Sequence, residues 1–309
     1  MQPDIQSFSL PSADGEHRLA CYYILPQGEI RGIFQICHGM SEYFLNYGNL
    51  IDAMTEKGFV VAGHDHLGHG RTAKEGGHGH IPDEKGAFYL AEDTFSVTRE
   101  LKRRFPGKKL ILFGHSMGSF ITRYGMTLYP GVSDLIILSG TGGTNPLLPL
   151  AKKIAKTGIR MGKSKEPAKT LDAIAFGNFN NRFKRKDPSK KAWITGCPHL
   201  RKSYETDPKI GFLFTWSGFY VLFELMRLVT SAKWPQTVCK ETPVLLVAGR
   251  QDPVGNYGKG VSQTYHRLKK AGLKDLELIF YESCRHEPHN DLEMKQEQED
   301  LENWISKRL

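Results

Sequence analysis

The sequence predicts an α/β fold, in which a mostly parallel, twisted sheet is flanked by helices on both faces. Continuous apolar runs at residues 110–113, 135–138 and 244–247 are typical of parallel strands that are buried on both faces. Segments whose apolar residues have helical spacing alternate with such runs at both ends of the chain. This alternation is the pattern of a parallel sheet covered by helices.

The predicted elements follow one another in an order that fits such a sheet. The first strand comes after a turn at Ala13-Asp14-Gly15, and the last helix ends near the C-terminus. We predict strands at residues 17–26, 33–37, 58–63, 110–113, 135–138, 244–247 and 276–281, and helices at 90–105, 116–129, 257–271 and 291–307, the last with Leu292, Leu301, Trp304 and Ile305 on its inner face.

The alternation of strands and helices is interrupted in the middle of the chain. This segment is helix-like and strongly basic: residues 145–235 contain 18 Lys or Arg against 6 Asp or Glu, whereas the whole chain has a net charge of only +9. Such a local charge asymmetry indicates a separate element with its own surface. We therefore expect a core formed by residues 1–140 and 236–309, with residues 141–235 inserted as a helical cap over the C-terminal edge of the sheet.

A nucleophile motif follows the predicted strand at 110–113. Gly114-His115-Ser116-Met117-Gly118 fits the pattern G-x-S-x-G, and a predicted helix comes after it. A strand, a sharp turn and a helix are the context that holds a serine in a strained turn above the sheet. We expect glycine at 114 and 118 because a Cβ there would collide with the neighbouring strand and helix. A glycine-rich turn with a bystander serine is the alternative.

The partners of this serine are expected later in the chain. A serine hydroxyl is a weak nucleophile at neutral pH and needs a base beside it. In this architecture the acid and then the histidine follow the serine, and active groups collect at the carboxyl ends of the strands. Asp252 and His286 lie in the loops after the last two predicted strands, so we expect His286 to take the Ser116 proton and Asp252 to orient its imidazole. The competing candidates are His289 for the base and Asp291 or Glu287 for the acid.

Backbone N–H groups must stabilise the negative oxygen that develops during acyl transfer. One donor should be Met117, which follows the nucleophile, and the second should come from the loop after an early strand. Cys37-His38-Gly39-Met40 ends such a strand. Met40 is therefore the predicted second donor, with His38 and Gly39 supporting the site. An ordinary turn at His38-Gly39 is the alternative.

A histidine-rich segment, Gly63-His64-Asp65-His66-Leu67-Gly68-His69-Gly70, raises the question of a metal site. A zinc site needs three or four ligands in a defined geometry. Here histidines and glycines alternate in a loop, without an i, i+4 pair on a helix. We expect a structural loop held by Asp65, and we expect no metal and no cofactor.

Together these residues resemble the α/β-hydrolases, and among them the lysophospholipase and monoacylglycerol lipase branch of the serine aminopeptidase S33 type. The resemblance covers about residues 30–140 and 240–305. It implies the α/β-hydrolase fold, hydrolysis of glycerolipid esters, a cap that forms the acyl-binding pocket, and no cofactor. One departure is Tyr43, where the family often has a histidine, and another is Asn46 before Tyr47. The matching segments are 38–43, 64–72, 114–118, 249–253 and 285–287.

The most apolar part of the cap is an aromatic run. It contains Phe212, Phe214, Trp216 and Phe219. These residues are candidates for lining an acyl channel, and the alternative is that they form the small core of the cap itself. The segment around Tyr204 is similar to one in bacterial lysophospholipase-like proteins.

The basic residues of the cap cluster at 152–163 and 182–186. They could attract anionic lipid headgroups, each charge near a membrane contributing about 1 kcal/mol; a merely solvated face is the alternative. A basic surface without a nucleic-acid reading element excludes a nucleic-acid partner. Opposite the lysines, Leu147, Leu150, Ile154 and Met161 recur at helical spacing.

The leading function hypothesis is a serine carboxylester hydrolase that cleaves monoacylglycerols or lysophospholipids through an acyl-enzyme. The alternatives are a short-chain esterase, thioesterase or aminopeptidase with the same triad, and a catalytically silent binding protein of the same fold. All three triad candidates are present, which favours an enzyme. The five cysteines lack metal-ligand spacing and the first residues lack signal-peptide features, so we expect a cytoplasmic protein, with peripheral association with a membrane as the alternative.

Overall fold

The computed structural model describes residues 4–74 and 76–309. Within them, one sheet contains eight strands: β1 (Ile5–Pro11), β2 (Arg18–Ile24), β3 (Gly32–Cys37), β4 (Phe59–His64), β5 (Leu110–His115), β6 (Leu135–Ser139), β7 (Val244–Gly249) and β8 (Leu276–Tyr281). Their spatial order is β1-β2-β4-β3-β5-β6-β7-β8. The first two pairings are antiparallel and all later ones are parallel. This is the α/β-hydrolase architecture that the sequence predicts.

Helices cover both faces of this sheet. In the described residues they are α1 (Gly48–Glu56), α2 (Gly86–Arg104), α3 (Met117–Leu128), α4 (Leu148–Gly158), α5 (Lys169–Phe176), α6 (Ser203–Thr206), α7 (Trp216–Thr230), α8 (Trp234–Thr237), α9 (Lys259–Lys270) and α10 (Met294–Ser306). Single helical turns lie at Phe44–Tyr47, Ile159–Lys163, Phe179–Arg182, Pro198–Arg201 and Pro288–Asn290. No helix in this part of the chain is long and apolar enough to cross a membrane.

All seven strands and all four helices predicted from the sequence are present. The eighth strand, β1, escapes prediction because its side chains alternate between exposed and half-buried positions, so it has no buried apolar face. In α10, Leu301, Trp304 and Ile305 face the core as predicted. Leu292 does not, because α10 begins only at Met294 and the Leu292 side chain is 62% exposed.

The carboxyl ends of the parallel strands meet at one edge of the sheet. In the register of β3 and β5, Cys37 lies beside Gly114, and in that of β7 and β8, Gly249 lies beside Tyr281. The loops that follow these ends carry the predicted nucleophile, oxyanion donors, acid and base. Parallel pairing therefore brings together segments that are far apart in the chain.

The segment between β6 and β7 contains α4 to α8, and we keep the name cap for residues 141–235. The helical spacing of its large apolar residues does not tell which side of α4 is buried. Leu148, Ala151 and Ala155 form its buried side, whereas Leu147, Leu150 and Met161 are 60%, 58% and 67% exposed. Three of the four regularly spaced large apolar residues thus point to solvent, whereas Ile154 is half-buried against the core.

A buried arginine joins both ends of the cap to α3. Arg123 Nη1 donates to Thr141 Oγ1 (3.1 Å) and Gly142 O (2.8 Å), and Nη2 donates to Val229 O (2.5 Å). Its guanidinium also lies 4.3 Å from the ring centroid of Trp234, whose indole N–H donates back to Arg123 O. The base of the cap is therefore fixed to the helix that follows the nucleophile motif.

Candidate active site

Ser116 occupies the sharp turn between β5 and α3. Its backbone has φ 52° and ψ −118°, a conformation that is strained for any residue with a side chain. A Cβ at Gly114 would lie 2.4 Å from Thr122 Oγ1, and one at Gly118 would lie 1.9 Å from Cys37 O. Only glycine fits at these two positions, which is why the motif needs both.

The structure brings the three predicted triad residues together. His286 Nε2 lies 2.9 Å from Ser116 Oγ, within hydrogen-bond distance. On the other side of the ring, His286 Nδ1 lies 3.1 Å from Asp252 Oδ2, an electrostatic contact rather than a well-aligned hydrogen bond. The other Asp252 oxygen accepts from the Val254 N–H at 2.8 Å, which fixes the carboxylate.

The electrostatics at His286 suit a base that can hold a proton during turnover. Burial alone would lower the pKa of His286, but the adjacent Asp252 outweighs it, helped by Glu287 and Glu42, and raises this pKa above 6.5. A carboxylate that favours the imidazolium makes proton transfer from a serine easier.

The competing candidates have other partners. His289 stacks on Tyr47 with ring centroids 4.8 Å apart, and its burial lowers its pKa to about 3. Asp291 accepts from the backbone N–H groups of Arg285, Gly196 and Leu292. Glu287 accepts from the hydroxyl of Tyr204. None of the three takes part in the contacts that connect Ser116, His286 and Asp252.

The two predicted oxyanion donors border the same cavity as Ser116. Met117 is the first residue of α3, so its N–H has no acceptor within the helix. Within the described residues, neither Met40 N–H nor Met117 N–H donates a hydrogen bond. Both amides are therefore available to an oxygen bound beside Ser116.

The loop before Met40 is held by groups that the sequence analysis assigned no role. Gly39 N–H donates to Glu42 Oε1 and lies 3.2 Å from Tyr47 Oη, and Tyr47 also donates to Glu42. Burial, and then the charge of Glu287, raise the pKa of Glu42 to about 8. Glu42 belongs to the segment 38–43 that carries the family resemblance, but only the fold shows that it supports Gly39.

The histidine-rich segment forms an internal network. His66 N–H donates to His38 Nε2 at 3.0 Å, and His66 Nδ1 lies 3.1 Å from His64 Nε2. Burial lowers the pKa of His64 to about 3 and that of His69 to about 4, so these rings are neutral. Asp65 accepts from the N–H groups of Phe44 and Arg71 and from the Tyr22 hydroxyl, and it holds the loop as the sequence predicts.

A cavity of about 770 Å³ lies between the core and the cap and reaches Ser116 and His286. Polar side chains in its lining include Glu42, Glu287 and Tyr204. Apolar side chains in its lining include Phe120, Leu148, Ala151, Phe176, Leu213, Leu222, Phe223 and Met226. A chamber lined by both polar and apolar groups suits an amphiphilic ester.

The aromatic run of the cap contributes less to this wall than the sequence predicts. Phe212 lines the cavity, but Phe214, Trp216 and Phe219 do not. Phe214 and Phe219 are fully buried and pack edge to face in the cap core, with centroids 5.8 Å apart. Trp216 packs against Gly158 of α4. Three of the four predicted lining residues therefore serve the cap's own core.

Comparisons with known proteins agree with this fold. The family model described as serine aminopeptidase, S33, matches residues 28–293. The human monoglyceride lipase is 25% identical over 97% of this chain and 90% of its own, and the monoacylglycerol lipase of Mycolicibacterium smegmatis is 26% identical over 92% and 91%. A thermostable carboxyl esterase from Bacillus coagulans, solved in complex with glycerol, has a TM-score of 0.90 at 30% identity, covering 98% of both chains. The chain therefore belongs to the serine aminopeptidase S33 family of α/β-hydrolases and is a hydrolase of the lipase and esterase type.

Proposed function

We propose that this protein is a serine carboxylester hydrolase that cleaves glycerolipid monoesters, monoacylglycerols or lysophospholipids, through an acyl-enzyme on Ser116. The observation that carries the proposal is the 2.9 Å contact between Ser116 Oγ and His286 Nε2 at the wall of a large cavity. The matched monoglyceride lipases support the substrate class.

The mechanism follows from the atoms that meet in the cavity. Ser116 Oγ attacks the ester carbonyl while its proton passes to His286 Nε2, and Asp252 stabilises the imidazolium. The N–H groups of Met40 and Met117 bind the developing oxyanion. The C–O bond then breaks, and the leaving alcohol takes the proton from His286. A water molecule repeats the sequence on the acyl-enzyme, which releases the fatty acid and restores the Ser116 hydroxyl.

The lining of the cavity supports an ester with one long chain and an alcohol that carries hydroxyl groups. Its apolar side chains from α4, α7 and Phe120 can bury an acyl chain, each methylene contributing about 0.8 kcal/mol. Its polar side chains Glu42, Glu287 and Tyr204 offer hydrogen bonds to hydroxyl groups. The same carboxyl groups would also suit an α-ammonium group, so an aminopeptidase activity is the second candidate.

We further propose that the cap contacts a membrane surface while substrate enters. Leu147, Leu150 and Met161 are exposed on the cap, and Leu147 also borders the cavity. Lysines of α4 flank these residues, and apolar side chains beside positive charge favour an anionic bilayer. Leu150→Glu should reduce cosedimentation with phosphatidylcholine–phosphatidylglycerol vesicles several-fold, whereas Leu25→Glu, at another exposed leucine, should not. Equal binding by both variants would contradict the proposal.

The substrate is tested by initial rates on a matched panel beside Ser116→Ala. The panel contains monoacylglycerols and lysophosphatidylcholines of increasing chain length, short p-nitrophenyl esters and an aminoacyl anilide. We expect a clear preference for the long-chain glycerolipids and no turnover by the variant. Turnover confined to short esters would contradict the lipid assignment, and turnover of the anilide would favour the aminopeptidase candidate.

A further inference from the structure

The loop that carries His286 is hydrogen-bonded to one segment of the cap. Residues 187–196 contain neither helix nor strand, yet Ala192, Ile194 and Thr195 in it are buried. A buried irregular segment must find partners for its backbone polar groups. Here the loop around His286 supplies partners for four of these groups, the carbonyls of Ala192, Ile194 and Thr195 and the N–H of Gly196.

Hydrogen bonds run in both directions between this cap segment and the residues that follow His286. Glu287 N–H donates to Ile194 O at 3.0 Å, directly after the histidine. In the opposite direction, Thr195 Oγ1 donates to Asn290 O at 2.6 Å, and Gly196 N–H donates to Asp291 Oδ1 at 2.8 Å. These bonds tie the backbone of the His286 loop to the cap.

Arg285, directly before the histidine, makes the largest number of these contacts. Its guanidinium donates to Ala192 O and to Thr195 O (3.1 Å), and it lies 3.2 Å from the Asp187 carboxylate. Its Cζ also lies 4.3 Å from the ring centroid of Phe183. Every one of these partners belongs to the cap. The Arg285 side chain is 14% exposed, so these contacts are shielded from solvent.

The same segment also touches the imidazole. Trp193 lies between Ala192 and Ile194, and its ring centroid is 5.1 Å from that of His286. Trp193 in turn stacks on Phe176 of α5 with an interplanar angle of 7°. The cap therefore limits both the position of the loop and the room in which the ring can turn.

We propose that Arg285, held by Asp187, is a positioning residue for His286, so that cap segment 187–196 is part of the framework that sets the triad geometry. The inference rests on the proposed role of His286 as the base. A displacement of about 1 Å in a reacting group can reduce catalysis about 100-fold. A cap that separates from the loop therefore moves His286 away from Ser116 and leaves the enzyme inactive.

The test compares Arg285→Met with Arg308→Met. Arg308 is a matched control, since its side chain is also 14% exposed, pairs with Asp275 and lies 4.3 Å from the ring centroid of Trp304. It makes these contacts at the end of α10 and touches no cap residue in the described part of the chain. The readouts are kcat and KM for p-nitrophenyl butyrate and the rate constant for fluorophosphonate labelling of Ser116.

For Arg285→Met we expect kcat and the labelling rate to fall together by about tenfold or more, with KM changed less than about threefold. Arg285→Lys should recover only part of the loss, because the lysine ammonium lacks the planar guanidinium that donates to several acceptors at once. Arg308→Met should keep the wild-type kcat. Should Arg285→Met fail to fold, Asp187→Asn takes its place, and a reduced kcat at unchanged KM is again expected.

Folded Arg285→Met or Asp187→Asn protein with wild-type kcat and labelling rate would overturn the positioning role. A loss confined to KM would overturn it as well, because a displaced base slows chemistry rather than binding. Wild-type protein that neither labels nor hydrolyses esters would instead overturn the proposed function, and with it this inference.

Discussion

Replacement of Gly118 by alanine should push the turn that carries Ser116 away from the loop that carries Met40. The added Cβ would lie 1.9 Å from Cys37 O and 2.5 Å from His38 O. Both atoms are backbone, and β3 is paired on both sides, with β4 and β5, so neither can move freely. To reach even 3.0 Å, the Cys37 carbonyl must move away by about 1 Å.

This displacement has a cost in stability and a larger one in catalysis. Overpacking of this kind costs about 1–3 kcal/mol, and the better helix propensity of alanine offsets at most about 1 kcal/mol of that. Because Met40 lies two residues beyond His38, the same shift moves its N–H away from that of Met117. A displacement of about 1 Å predicts a loss of about 100-fold in kcat.

Two alanine variants separate these effects. A Cβ at Gly125, in the same helix, would lie 2.0 Å from the Phe95 ring, so Gly125→Ala should lose comparable stability but keep the kcat of the folded fraction. Gly48→Ala has open space around the added methyl group and should change neither quantity. The assays are thermal unfolding by circular dichroism and p-nitrophenyl butyrate turnover. A Gly118→Ala enzyme within threefold of wild-type kcat would refute the reasoning.

Three further outcomes follow from the buried ionisable groups. The raised pKa of His286 predicts that kcat/KM falls as pH drops through that pKa, which lies above the ordinary value for histidine. Glu287→Gln should move this fall to lower pH, and an unchanged pH–rate profile would argue against the charge effect. His286→Ala should lose more than about 10³ in kcat with its circular dichroism unchanged, whereas His289→Phe should stay active; the reverse would move the base. Glu297 is buried without a hydrogen-bond partner in the described residues, and burial raises its pKa from 4.5 to about 8. The contribution of Glu297 to folding stability should therefore fall by about 1.4 kcal/mol per pH unit as pH rises from 4.5 towards 8. In urea unfolding, the gain of Glu297→Gln over wild type should be largest at pH 8, and a pH-independent gain would contradict this.

The sheet and the triad loops could be predicted because their signals are local. Buried parallel strands appear as continuous apolar runs, and the loops after them carry Ser116, Asp252 and His286 in a fixed chain order. The contacts between the cap and the loops that carry the site could not be predicted in this way. Tyr204 and Glu287 are 83 residues apart in the chain, and only the cap's folding brings them together.

The cap shows a second limit of sequence patterns. Helical spacing tells which residues share a face, but not whether that face points inward. Leu147, just before α4, and Leu150 within it are exposed, while Ala151 and Ala155 are buried. In the same way, the aromatic character of Phe214 and Phe219 does not tell whether they line the cavity or, as the structure has it, are buried beside it.

Mass spectrometry of the protein after treatment with a fluorophosphonate tests the central claim most directly. Trypsin should release Ser116 in the peptide from Leu110 to Arg123. We predict one phosphonyl adduct on that serine, formed in step with the loss of ester hydrolysis and absent from Ser116→Ala and His286→Ala. An adduct on another residue, or ester hydrolysis that survives in Ser116→Ala, would contradict the assignment of Ser116 as the nucleophile.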